Sequence, residues 1–117
     1  MIERPWRVGL SNAADSDFRS IVLWTEDQFG SEQARIYAEA LRATLASLTK
    51  GPSTPGARLR PEIAEGIHSL HVMRIRRRAR HLLFFRVVGD RQIEITRILH
   101  DGMDFRRHLL PDEPGET

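Results

Sequence analysis

The stretch "HLLFFRVVGDRQIEITRIL", residues 81–99, constrains the fold of this 117-residue chain most. Residues 81–88 form a dense β-branched and aromatic run, and 91–99 alternate apolar with polar. Two such runs joined by two turn-forming residues predict a β-hairpin, with Gly89-Asp90 as the turn. That turn sets Arg86 opposite Ile93, Phe84 opposite Ile95 and Leu82 opposite Arg97. One sheet face then collects Leu82, Phe84, Val88, Ile93, Ile95 and Leu99, and it is the expected seat of any covering helices. The same face carries Arg86 and Arg97. Each needs a bulge, a sheet edge or a carboxylate partner.

Upstream, the apolar period changes from two to 3.6. "WRVGL" (6–10) reads as a short strand. Ser11 or Asn12 then caps a helix whose apolar stripe is Ala14, Phe18, Ile21, Val22, Thr25 and Phe29. Gly30 stops it, and Ser31 starts a second helix striped by Ala34, Tyr37, Ala38, Leu41, Leu45 and Leu48. This helix runs to Lys50 and Gly51. So short a break forces an αα-hairpin. Residues 51–66, rich in proline and glycine, read as a loop, and "IHSLHVMRI" (67–75) as a strand. Asp104 caps a short terminal helix, "FRRHLL". The predicted class is α+β, in the order β-α-α-β-β-β. A helical hairpin packs on a small, mainly antiparallel sheet, with a short C-terminal helix. One domain spans 1–110, and the acidic "PDEPGET" of 111–117 reads as a disordered tail.

The net charge of +2 hides an uneven distribution: residues 51–110 hold twelve of the 18 basic side chains, and all but Lys50 are arginine. Five of them, Arg74, Arg76, Arg77, Arg78 and Arg80, cluster where two strands turn back on each other. A charged tip of this kind guards sheet edges against aggregation. It also presents a cationic surface to an acidic or phosphate partner. The chain has no cysteine, no apolar run long enough to span a bilayer and no signal-peptide pattern. The expected location is the cytoplasm. No phosphate-loop, dinucleotide, nucleophile-elbow or zincin motif occurs, and the histidine spacings are not those of a metal site. No cofactor or metal is expected.

The order of these elements, with "AADSDFRSIVLW", "GSEQARIYAEALRATLASL" and above all "RILHDGMDFRRHL" (97–109), resembles the RelE/ParE toxin superfamily, most closely its ParE branch. The resemblance runs from about residue 6 to residue 110. It implies a bacterial type II toxin, active in plasmid stabilisation, that inhibits DNA gyrase and is neutralised by a ParD-like antitoxin. Such a toxin needs no catalytic residue. The surface implied for target or partner binding is Arg74, Arg76, Arg77, Arg78, Arg80, Arg97, His100, Arg106 and Arg107. The alternative it implies is a RelE-like endoribonuclease cutting mRNA on the ribosome, with Arg86, Arg97 and His100 at a phosphate site. The chain departs from the ribonuclease pattern: Phe85 stands where tyrosine is often found, and no tyrosine lies near the C-terminus.

Overall fold

The computed structural model describes residues 4–72 and 80–109. Along the chain run β1 (Arg7–Leu10), α1 (Asn12–Phe29), α2 (Ser31–Ser47), β2 (Arg58–Leu59), β3 (His68–His71), β4 (His81–Gly89), β5 (Gln92–His100) and α3 (Phe105–Leu109). A single 3-10 turn, Leu48–Lys50, finishes α2. The five strands form one sheet in the order β1-β5-β4-β3-β2. β1 lies parallel to β5, and the other pairs are antiparallel. The α+β class and the helical hairpin on the sheet are as the sequence predicts. β2 is an addition: two residues of the 51–66 loop pair with β3.

Local chemistry explains the helix ends. The Ser11 hydroxyl accepts the Ala14 N–H at 3.0 Å, which satisfies one of the free donors of the first turn of α1. Gly30 separates the helices at φ +92°, a conformation that side chains rarely adopt. Gly51 serves packing as well as conformation. At φ +109°, a Cβ there would come within 3.0 Å of the Trp6 indole nitrogen. The Trp6 backbone N–H donates to the Thr49 carbonyl at 2.8 Å. The end of α2 is thereby fastened to the chain just before β1.

The register of the β4–β5 hairpin corrects the sequence reading. The turn residues are Asp90 and Arg91, with Gly89 opposite Gln92 and Arg91 at φ +50°. Val87 faces Ile93, Arg86 faces Glu94 and Phe85 faces Ile95, but Phe84 faces Arg97. Thr96 is therefore an extra residue in β5, and its hydroxyl donates to the Phe84 carbonyl at 2.9 Å. Such a bulge reverses the inward–outward alternation beyond it. Leu83, Phe85, Ile93, Ile95 and Ile98 consequently share the face covered by the helices, with Ala14, Ile21, Leu41 and Leu48. Leu82, Phe84 and Leu99 lie on the opposite face, under Ile63, Ile67 and the flank of α3. Both faces are thus buried, and Phe84 and Phe85 are fully enclosed on opposite sides. Each contributes roughly 2–3 kcal/mol through the area removed from water. At the turn end Val87 and Val88 are exposed, so Val88 is not a core residue. Phe29, expected in the stripe of α1, is also exposed, with its ring edge-on to that of Trp24 at 5.8 Å.

Candidate functional site

The two arginines of β4 and β5 find partners that sequence spacing does not reveal. Arg97 is held by Asp17 of α1, with Nε 2.7 Å and Nη2 2.9 Å from the two carboxylate oxygens. Asp17 also accepts the Ile98 backbone N–H at 2.9 Å. The Ser11 hydroxyl donates to the Thr96 carbonyl at 2.8 Å. β1 ends at Leu10, so β5 would otherwise expose an unpaired edge here. Ser11 and Asp17 seal it with side-chain groups. The carboxylate raises the Arg97 pKa further above its usual value. Arg86 donates to the Glu65 backbone carbonyl instead. The positions implied for a phosphate site, Arg86, Arg97 and His100, thus have two guanidiniums engaged by the protein itself.

At the open end of the hairpin, His81 and His100 are direct cross-strand partners, and their rings meet edge to face at 5.4 Å. The Tyr37 hydroxyl from α2 lies 2.6 Å from His81 Nδ1. Burial, reinforced by the neighbouring His100, lowers the His81 pKa to about 4, against the opposing pull of Asp101. Burial likewise raises Tyr37 to about 12. Both partners are therefore neutral at neutral pH. His100 Nδ1 accepts the Gly102 N–H at 3.1 Å and stands 3.6 Å from Asp101. Asp101 in turn binds Arg80 at 3.3 Å. Neither Tyr37 nor Asp17 stands among the site residues that the sequence singles out. Tyr37 reads as part of an apolar stripe, and it does pack against the core with its ring. A hydroxyl in that stripe is the signal that a polar partner must be nearby.

The remaining cationic positions divide in two. Arg106 and Arg107 are exposed on α3, because Phe105 and Leu109 turn inward, with the Phe105 ring centroid 4.8 Å from that of Phe84. Arg74, Arg76, Arg77 and Arg78 lie outside the described residues, as does the 111–117 segment. Among the described residues no helix is long and apolar enough to cross a membrane.

These features define a small α+β domain. A helical hairpin covers one sheet face, a short terminal helix covers the other, and polar groups gather at the open end of the sheet. Residues 8–105 match the family described as "ParE toxin of type II toxin-antitoxin system, parDE". Toxin ParE1 of Caulobacter vibrioides is 34% identical over 108 residues, covering 91% of this chain and 98% of that relative. Toxin ParE1 of Mycobacterium tuberculosis is 32% identical over 100 residues, 86% of this chain and 94% of that one. Among solved structures, a chain from "Chromosomal ParDE TA system from P. aeruginosa" shares the fold. Its TM-score is 0.67 at 20% identity, over 84% of this chain and 98% of that chain. The chain belongs to the ParE toxin family of type II toxin–antitoxin systems.

Proposed function

We propose that this protein inhibits DNA gyrase and is neutralised by a ParD-like antitoxin. The observation that carries this reading is the ParE match over residues 8–105, nearly the whole folded part of the chain. The site geometry supports inhibition by binding. Arg97 is bound by Asp17, Arg86 by a backbone carbonyl, and His81 by Tyr37. Each is committed to holding the fold, whereas transphosphorylation of RNA needs groups free to grip a phosphate and move protons. Exposed Arg80, Arg106 and Arg107, with Arg74, Arg76, Arg77 and Arg78, are the proposed contacts to an acidic surface of the gyrase–DNA complex. Surface arginines of this kind steer association more than they fix affinity.

The test is a pair of assays on the same preparation. Added to gyrase and relaxed plasmid, the protein should block supercoiling, and it should leave mRNA on translating ribosomes intact. Adding the protein encoded by the neighbouring small gene should restore supercoiling. Cleaved message with undisturbed supercoiling would replace this reading with the ribonuclease.

A further inference from the structure

A recess of about 400 Å³ lies where the end of α2 meets β3 and the loop of residues 54–56. Small-ligand sites run from about 300 to 1,000 Å³, so its size suits a small molecule. Its walls are fixed by the chain itself. The Thr54 side chain is buried, and its hydroxyl donates to the Ser47 carbonyl at 2.7 Å. The Ser47 hydroxyl donates to the Thr44 carbonyl at 2.6 Å, and the Thr44 hydroxyl to the Ala40 carbonyl at 2.8 Å. Gly56, at φ +93°, lies so close to β3 that a Cβ there would stand 3.2 Å from Leu70 Cδ1. The loop is thereby pinned to both α2 and β3, and the recess exists before any ligand arrives. These hydroxyl protons are placed on backbone carbonyls. With Pro55 and Leu70, the side chains around them give a lining that is chiefly carbon.

Two polar groups stand apart from that lining. Lys50 and His71 reach the recess from opposite sides, and both residues are exposed. Neither side chain has a hydrogen-bond or ion-pair partner among the described residues. Lys50 is also the one basic residue of the chain that is not arginine. An ammonium is a point charge with rotatable donors, and it pairs with a single oxygen without the fork geometry of a guanidinium. One cation and one imidazole at the rim of a carbon-lined recess match a ligand with one anionic head and an apolar body. A dianionic phosphate would leave charge uncompensated against those walls.

We propose that this recess binds a small apolar monocarboxylate. Its branched or aromatic body lies against Pro55, Leu70 and the threonine methyls. Its carboxylate accepts from the Lys50 ammonium, with the His71 imidazole beside it. A free organic acid and the carboxy-terminal residue of a polypeptide both offer this chemistry. The test titrates the isotope-labelled full chain with isocaproate, its uncharged amide and N-acetyl-leucine, and follows the amide resonances of Gly56, Leu70 and His71. Isocaproate should shift them saturably, with a dissociation constant of about 1 mM or tighter for a ligand of this size. The amide should bind at least about fivefold more weakly, and K50M should weaken isocaproate as much, since each removes a charge-assisted hydrogen bond. S47L fills the recess with an apolar side chain and should abolish binding. R19M removes a cation from α1 that does not line the recess, and it should bind as the wild type does. Circular dichroism melts confirm that each variant is folded, and the amide and K50M decide the matter even if S47L is not. Tighter binding of N-acetyl-leucine than of isocaproate supports the site and assigns it to a polypeptide's carboxy terminus; the reverse order supports it and assigns it to a free acid. No saturable shift up to about 20 mM overturns the proposal. Equal affinity for the amide, or undiminished affinity in K50M, overturns it too, because the carboxylate then takes no part. None of these results bears on supercoiling, so the gyrase reading stands or falls separately.

Discussion

The two ends of the β4–β5 hairpin are built on different principles. At the turn end, Asp90 and Arg91 reverse the chain in open solvent. There Arg4 and Asp90 make an ion pair at 3.4 Å with side chains 75% and 86% exposed. At the other end, Tyr37, His81, His100 and the Asp17–Arg97 pair are partly withdrawn from water, and each answers a specific polar need. Polar contacts carry weight where water cannot replace a lost partner. The open end is therefore the part of the hairpin where single substitutions should be felt, and the turn end the part where they should not.

The largest effect is expected from Asp17→Ala. The substitution leaves a half-buried guanidinium without its carboxylate and frees the Ile98 N–H at a sheet edge. Breaking one side of a buried pair costs about 3–5 kcal/mol. With Arg97 27% exposed, water recovers part of that, and a loss of about 2–3 kcal/mol in urea unfolding is the expected outcome. A loss under about 0.5 kcal/mol would show that the Asp17 bridge is no more than a surface contact. Removing both partners together should cost less than the sum of the single changes, which a double-mutant cycle reads directly.

A smaller but more diagnostic effect concerns pH. The folded value for His81, about 4, lies below the ordinary 6.5 of a histidine. As pH falls below 6.5, the unfolded chain takes up a proton at this position while the folded chain does not. Stability should therefore be level in this respect above pH 6.5 and decline toward pH 4, with a slope no steeper than about 1.4 kcal/mol per pH unit for one proton. His81→Gln keeps a hydrogen-bonding side chain opposite Tyr37 and cannot titrate. Its stability should decline less over that window than the wild type's. Identical slopes would shift the acid sensitivity to other groups.

The same contrast explains how much of the molecule was legible in its sequence. The helices, the long strands and their order follow from apolar periodicity and from Gly30 and Gly51, all local signals. The resemblance of "RILHDGMDFRRHL" supplied the family. The bulge was not legible. One extra residue at Thr96 leaves composition and alternation almost unchanged, yet it puts Ile98 on the same face as Ile95 and sends Leu99 to the other core. Gly89-Asp90 has the chemistry of a turn, and tertiary pairing moved the turn one residue on. β2, at two residues, is too short to carry any period. The polar site was the least legible part. Asp17 and Arg97 are 80 residues apart, and Tyr37 and His81 are 44 apart. Only the packing of α1 and α2 over the sheet brings these pairs together. Arginine clustering, by contrast, is visible in sequence but does not say which guanidiniums the fold keeps for itself.

The smallest expected effect completes the contrast. Arg4→Ala and Asp90→Ala each remove one partner of the ion pair beside the turn. Both side chains are largely in water, where the Coulomb gain is screened and the ordering of two side chains offsets much of the remainder. Each change should alter stability by no more than about 0.5 kcal/mol. Arg91 complicates the test in a useful way, since its guanidinium donates to the Arg4 backbone carbonyl at 3.0 Å, a contact that survives truncation of the Arg4 side chain. Arg91→Ala removes that contact. Arg91→Gly removes it too, and it also relieves the left-handed backbone at φ +50°. If the glycine variant is the more stable of the two by a few tenths of a kcal/mol or more, backbone conformation outweighs side-chain pairing at this end of the hairpin. If Arg4→Ala instead costs as much as Asp17→Ala, burial does not separate the two ends, and the polar cluster at the open end loses its claim to be the more tightly built.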